Sequence, residues 1–186
     1  MYSTTDAIVL SLQPHSDKAH LLHAYTRAGG RVNYMVYGLG RKNTAGKYSP
    51  LSIVQLTTDE RSIRTAQLTF VPQTLITDPY KRTIALFISE VLYHVLRHPM
   101  PDEPMWDFIA QAIEDLDQTT TPQNFHLQFL ISFAAKLGFA METEPSLPTS
   151  REDRQAQLRA LCEYFAEHVE TWQTPKSLDV LMEVFD

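Results

Sequence analysis

Apolar residues alternate with polar ones in the first part of the chain and recur at helical spacing in the rest, with the change at Asp78. Residues 6–12 (Asp6-Ala7-Ile8-Val9-Leu10-Ser11-Leu12) are rich in β-formers. They end in the turn-forming run Gln13-Pro14-His15-Ser16-Asp17, which predicts a strand and then a loop. Residues 20–26 predict a second strand, and Arg27-Ala28-Gly29-Gly30 supplies flexible backbone for a reversal. In residues 31–37, Val32, Tyr34 and Val36 alternate with Arg31, Asn33, Met35 and Tyr37, so one face enters a core and the other stays available. Tyr34 shares the register of the two valines and is expected to be buried. Residues 38–47 are a loop by composition. Residues 50–58 and 61–71 predict two more strands joined by Thr58-Asp59-Glu60-Arg61. Five short strands with no helix long enough for a parallel crossover predict a small antiparallel barrel.

Beyond Asp78 the period becomes helical. Thr77-Asp78-Pro79 reads as a helix start, with Asp78 as N-cap and Pro79 at the first helical position, followed by Ile84, Phe87, Ile88, Val91, Leu92, Val95 and Leu96. Pro101-Asp102-Glu103-Pro104 opens a second helix carrying Trp106, Ile109, Ala112, Ile113 and Leu116. Thr121-Pro122 begins a third, which Gly138 closes. After an irregular connector, Ser150-Arg151-Glu152-Asp153 resembles a capping box with Asp in place of Glu, and apolar positions from Leu158 to Trp172 continue that helix. Thr174-Pro175 starts the last one, with Leu178, Leu181, Met182 and Phe185. The expected class is α+β, with a barrel over residues 1–78 and an all-α helical bundle over residues 79–186.

Charge sharpens this division. The net charge of −6 hides a partition near Arg82: residues 1–82 hold ten Lys/Arg against five Asp/Glu, a net of +5, which leaves six against 17, a net of −11. A polyanion is repelled by the acidic part and gains affinity from counterion release on the basic part, so it belongs on the first half. Between Lys18 and Tyr48 stand six basic residues (Lys18, Arg27, Arg31, Arg41, Lys42, Lys47) and no acidic one, interleaved with Tyr25, Tyr34, Tyr37 and Tyr48. Cations follow a phosphate backbone and aromatic faces stack on bases, so the stretch suits single-stranded nucleic acid. A solvated basic face on a small barrel is the plainer reading of a charge run alone.

Other chemistry is sparse. Cys162 is the sole cysteine, which excludes an internal disulfide and a cysteine-cluster zinc site, and its apolar neighbours predict a buried, inert thiol. His15, His20 and His23 lie close in sequence, but positions 20 and 23 of a strand point to opposite faces, and no metal site is expected. Gly38-Leu39-Gly40 lacks the Gly-Lys-Ser/Thr ending of a nucleotide-binding loop. Glu142 with Glu144, and Glu163 with Glu167, read as solubilising charge, so no catalytic constellation and no cofactor are expected. The first residues lack a targeting pattern and no apolar run approaches about 20 residues. A cytoplasmic, nucleoid-associated protein without membrane partners is the expectation.

Read together, these pieces resemble RecO, the bacterial recombination mediator that works with RecF and RecR. The resemblance is carried by Asp6-Ala7-Ile8-Val9-Leu10, Ser16-Asp17-Lys18, Tyr25-Thr26-Arg27 followed by Gly30-Arg31, Tyr37-Gly38-Leu39-Gly40-Arg41-Lys42, Pro50-Leu51, and Lys136-Leu137-Gly138-Phe139. It spans residues 5–140, and the ending Lys176-Ser177-Leu178-Asp179-Val180-Leu181 is similar to the tail of the Bacteroides-type lineage. The resemblance implies an N-terminal OB-fold and a helical domain. It implies binding of single- and double-stranded DNA, strand annealing, docking to RecR, and contact with the C-terminal tail of single-stranded DNA-binding protein (SSB), so that RecA replaces SSB. Mapped onto this chain, the implied DNA surface is Lys18, Arg27, Arg31, Tyr37, Arg41, Lys42 and Lys47. Many members carry a four-cysteine zinc site after the Gly-Phe pair; here the connector from Met141 to Ser150 stands in its place. An SSB tail is acidic with an apolar aromatic end, so its receptor needs a cation beside an apolar notch; Arg97, Lys136, Arg151, Arg154, Arg159 and Lys176 are the available cations. The rival reading is an OB-fold and helical adaptor that binds protein or RNA without DNA annealing activity.

Overall fold

A computed structural model of the 186-residue chain describes residues 2–39, 46–143 and 145–184. Five strands, β1 (Tyr2–Ser16), β2 (Ala19–Thr26), β3 (Gly30–Tyr37), β4 (Ile53–Asp59) and β5 (Ser62–Leu68), close into a barrel in the order β1-β2-β3-β5-β4. Neighbours pair antiparallel, except that β3 meets β5 in parallel through Met35 and Ser62. This is the OB-fold arrangement, and with the helices that follow the chain is α+β.

β1 is longer than its alternation predicts because it serves two neighbours. Residues 2–8 pair with β4, from Tyr2 opposite Asp59 to Ile8 opposite Ile53, while residues 7–16 pair with β2. The run from Gln13, which reads as a loop in the sequence, is therefore paired strand. Pro14 is tolerated next to a register irregularity between Pro14 and Ser16, where a missing donor disturbs the ladder least. The alternation of β3 is realised: Tyr34 and Val36 join Ala7, Val9, Leu22, Ala24, Tyr48, Val54, Leu56 and Ala66 in the barrel core. Residues 50–52 are a tight turn rather than the start of β4. Leu51 adopts φ 63° while 1% exposed, and its N–H donates to the Val9 carbonyl at 2.9 Å.

The helices are α1 (Pro79–Val95), α2 (Glu103–Gln118), α3 (Phe125–Leu137) after a 3-10 turn at Pro122–Asn124, α4 (Arg151–His168) and α5 (Leu178–Val184). Their starts follow the capping chemistry. Asp78 Oδ1 accepts the N–H of Tyr80 at 2.8 Å, Asp102 Oδ1 that of Met105 at 3.0 Å, and Ser150 Oγ that of Asp153 at 3.1 Å. Gly138 closes α3 in the left-handed region at φ 94°. Two ends differ from the periodic pattern. α4 stops at His168, with Val169 extended, and Trp172 reaches the Phe165 ring (5.2 Å between centroids) from outside the helix. The apolar spacing continued because Trp172 shares the core of α4, not its hydrogen bonding. α5 begins at Leu178, three residues beyond Pro175.

Packing divides the chain into two compact units: residues 1–72 with 96–113, and residues 73–95 with 114–186. The change of period at Asp78 and the division by packing are different cuts. The first unit keeps residues 96–113, the connector after α1 and the first part of α2, and the start of β3 meets that connector: the Arg31 N–H donates to the His98 carbonyl at 3.1 Å. Gly30, at φ 62°, makes room for this approach, since a Cβ there would lie 2.1 Å from the Met100 carbonyl oxygen. In the second unit, the stacked rings of Phe129, Phe133 and Phe165 form the aromatic centre (5.5 and 5.9 Å between successive centroids).

Candidate nucleic-acid interface

Four tyrosines are interleaved with the basic residues of the sequence, and burial separates them. Tyr25, Tyr34 and Tyr48 are 3%, 6% and 5% exposed, whereas Tyr37 is 61% exposed. The pleat explains the difference between the two on β3, because residues three apart face opposite sides of the sheet. Burial raises the phenol pKa of Tyr34 and Tyr48, and burial with the nearby Asp102 carboxylate pushes Tyr25 up to about 12. Tyr37 alone of the four has a free ring face.

Lys18 lies at the same end of the barrel as Tyr37. Ala19 pairs with Tyr37, and the ladder continues one step as the Gly38 N–H donates to the Lys18 carbonyl at 3.4 Å. Lys18 and Tyr37 are thus both exposed at the β1–β2 turn end of the barrel, Ala19 being the partner of Tyr37 and Lys18 the residue before it. That is the combination that suits a phosphate and its neighbouring base.

Arg27 and Arg31 lie at the other end of the β2–β3 hairpin, about 20 Å along β3 from Tyr37 for Arg31. Arg27 is engaged there by carboxylates, at 2.7 Å from Glu103 Oε1 and 3.1 Å from Asp107 Oδ1, with its guanidinium 4.9 Å from the Trp106 ring centroid. The hydrogen bond to Glu103 is the main cause that raises its pKa. Arg31 Nη1 donates to the Leu96 carbonyl at 3.4 Å. Lys47 donates to the Ala66 carbonyl on β5 at 3.2 Å and lies 5.6 Å from the centre of the Tyr48 ring. Arg41 and Lys42 lie outside the described residues. Of the seven residues mapped from the sequence, Lys18 and Tyr37 are exposed at the same end of the barrel; Arg27 and Arg31 are not brought to them.

Two cations absent from the sequence-derived set lie near the β4–β5 connection: exposed Arg61 in the turn, and Arg64 on β5, which donates to Asp59 Oδ2 at 2.9 Å. The Arg61 carbonyl accepts the Met35 N–H at 2.7 Å, which ties this turn to the Tyr37 end of β3. In the sequence Asp59 and Glu60 mask both arginines by cancelling their charge; only the strand order shows that they adjoin β3.

The histidines near these residues are not gathered. His23 is 6% exposed, its Nδ1 lies 2.7 Å from Asn33 Oδ1, and burial lowers its pKa despite that bond. Among the described residues no group of three His, Cys, Asp or Glu side chains is placed to hold a metal ion. Cys162 is buried, as its apolar neighbours predict.

The second unit holds a shallow recess lined by His126, Arg151, Arg154, Gln155, Leu158, Leu181 and Met182. Arg154 Nε donates to Asn124 Oδ1 at 2.9 Å, and Gln155 Nε2 to the Met182 carbonyl at 2.8 Å. The recess sets two guanidinium groups beside an apolar floor. Among the described residues no helix is long and apolar enough to cross a membrane.

A closed five-stranded barrel of this strand order, followed by helices, places the chain among OB-fold proteins with an appended helical region. Residues 1–80 match the family described as Recombination protein O N terminal, and residues 76–146 match Recombination protein O C terminal. The chain belongs to the RecO family. It is 31% identical over 150 residues to DNA repair protein RecO of Porphyromonas gingivalis, covering 74% of this chain and 61% of that protein. Against DNA repair protein RecO of Phocaeicola vulgatus it is 32% identical over 154 residues, covering 77% and 64%. Against that of Flavobacterium johnsoniae it is 27% identical over 236 aligned positions that cover both chains fully. The chain thus spans less than two thirds of the length of the first two relatives.

Proposed function

We propose that this protein is a non-enzymatic DNA repair and recombination mediator that binds single- and double-stranded DNA on its barrel and promotes strand annealing. With RecR it helps RecA to replace SSB. Membership of a family whose relatives are named DNA repair proteins supports the reading, and the observation that carries it is the exposure of the Tyr37 ring at the end of the barrel where Lys18 is also exposed. Lys18 and Tyr37 form the centre of the DNA surface, and Arg41, Lys42 and Lys47 are assigned to it from the sequence. Arg27 and Arg31 belong to its margin.

The SSB tail is assigned to the recess between Arg151, Arg154, Leu158 and Leu181, where cations flank an apolar floor. Of the six cations in the acidic part of the chain, these two line it.

The test is a salt titration of the full chain against a labelled single-stranded oligonucleotide. Binding that weakens with salt, by about 0.7 in log–log slope for each neutralised phosphate, supports DNA contact. Arg41→Ala with Lys42→Ala should lower affinity while the protein stays folded, as surface charges contribute little to stability. Absence of binding at low salt would leave the adaptor reading.

A further inference from the structure

Tyr2 is the most exposed tyrosine of the barrel at 65%, ahead of Tyr37 at 61%, and nothing in its sequence surroundings marks it as functional. Its position in the sheet does. Tyr2 pairs with Asp59, Asp59 with Ser62, and Ser62 with Met35, so one row of paired residues runs from β1 across β4 and β5 to β3. Directly paired residues share a face of the sheet. The adjoining pair Ser3–Thr58 faces inward, with Thr58 2% exposed and the two hydroxyls 2.9 Å apart, so the Tyr2 row faces outward. Tyr37, two residues beyond Met35, is on that same outer face.

Between the two tyrosines lie β4 and β5. The pairing of β4 with β5 shifts at Thr57/Thr58, where Thr57 is opposite Thr65 and Thr58 opposite Ile63, so Arg64 is the extra residue of β5. A bulge of this kind re-aims a side chain, and Arg64 reaches Asp59 in the row at 2.9 Å. Arg61 is exposed in the adjoining turn. Three strand spacings separate Tyr2 from the Tyr37 end, about 14 Å of barrel wall.

We propose that Tyr2, Arg64 and Tyr37 form one track for single-stranded nucleic acid, with the two rings as stacking platforms and the guanidinium of Arg64 between them as a phosphate ligand. This rests on the DNA-binding reading and extends it from the β2–β3 side of the barrel across β5 to the start of β1. Stacking needs ring faces and tolerates any base, so the track is not sequence-selective. Asp59 holds the Arg64 fork in place when no nucleic acid is bound and gives it up to a phosphate. An exposed ion pair of this kind contributes little to stability, so the exchange is facile.

The test is fluorescence anisotropy of the full chain with a labelled oligothymidylate of about 16 nucleotides. Tyr2→Ala and Tyr37→Ala should each weaken binding about tenfold, and Tyr2→Phe and Tyr37→Phe should leave it near wild type, because the ring and not the hydroxyl is used. Asp59→Asn should raise affinity and steepen the salt slope by about 0.7 as Arg64 is released. Val180→Ala in the second unit is the control, and all variants should melt like wild type. If Tyr37→Ala weakens binding and Tyr2→Ala does not, the track is wrong and the DNA reading stands. If the wild-type chain binds no oligonucleotide at low salt, both fall.

Discussion

The ammonium of Lys81, 3% exposed, donates to the backbone carbonyl of Asp117 at 2.7 Å and not to its carboxylate. The carboxylate is occupied elsewhere: it accepts the backbone N–H groups of Gln73, Thr74 and Leu75 at 2.8, 2.8 and 2.7 Å. Thr74 completes the arrangement, accepting from Lys81 at 2.6 Å and donating to the Asp117 carbonyl. One residue thus fastens the segment before α1 to the end of α2. Asp117→Ala would strip three N–H groups of their acceptor and is expected to cost about 3 kcal/mol in urea unfolding. Lys81→Met is expected to cost about 1–2 kcal/mol. A cost for Asp117→Ala within about 0.5 kcal/mol would show that the network is incidental. Burial alone would raise the Asp117 pKa, but the three backbone donors and the Thr74 hydroxyl outweigh it and hold it below the ordinary 3.8. Its contribution is therefore present above pH 3.8 and is lost as pH falls through the lower folded-state value.

Acid sensitivity at milder pH should come from His126. The ring is 1% exposed and lies edge-on to Phe87 at 6.3 Å. Burial first, and the Arg154 charge second, push its pKa down from 6.5 to about 3. The unfolded chain takes up a proton below pH 6.5 that the folded chain refuses until about pH 3, so stability falls across that window. The slope from this one group approaches about 1.4 kcal/mol per pH unit. In His126→Leu the urea midpoint should change less between pH 7 and 4.5 than in wild type; parallel profiles would remove His126 as the cause.

Arg27 and Lys18 should separate in DNA binding. The charge of Arg27 is already matched by Glu103 and Asp107, whereas Lys18 is exposed at the Tyr37 end of the barrel. Lys18→Ala is expected to lower the log–log salt slope by about 0.7, and Arg27→Ala to leave it nearly unchanged. The reverse order would move the DNA surface to the β2–β3 turn.

An acidic peptide ending in an apolar aromatic residue should bind the full chain through the recess on the helices. Arg151→Ala with Arg154→Ala is expected to weaken that binding at least tenfold, since guanidinium–carboxylate bonds are among the stronger ones. Arg159→Ala, outside the recess, is the comparison. Equal losses in both variants would indicate long-range charge rather than a site.

Cys162 should not react with a thiol reagent in the native protein. Burial, with a smaller effect of Glu163, pushes its pKa up to about 12, so little thiolate is present at neutral pH. Reaction should appear only as urea unfolds the chain. Rapid labelling of the folded protein would mean that this part of α4 opens.

Much of the fold is legible in one dimension, and for local reasons. Alternation in residues 31–37 separates buried Tyr34 from exposed Tyr37 because a strand has a period of two. Asp78, Asp102 and Ser150 announce helix starts because a short polar side chain satisfies N–H groups within three residues of itself. The partition of charge, +5 against −11, directs attention to the barrel before any fold is known.

What only the tertiary structure decided concerns partners distant in sequence. Arg27 reads as an available cation until Glu103 and Asp107, 76 residues and more away, are found against it. Tyr2 lies ahead of the strand read from residues 6–12, and only pairing across β4 and β5 places it on one face with Tyr37. Residues 96–113 follow the change to helical period, yet they pack in one unit with the barrel through contacts such as Arg31 with His98. Spacing along the chain records which way a side chain points from its own backbone. Which charge it meets, and which surface it completes, depends on closure of the barrel, and that is a property of residues tens of positions apart.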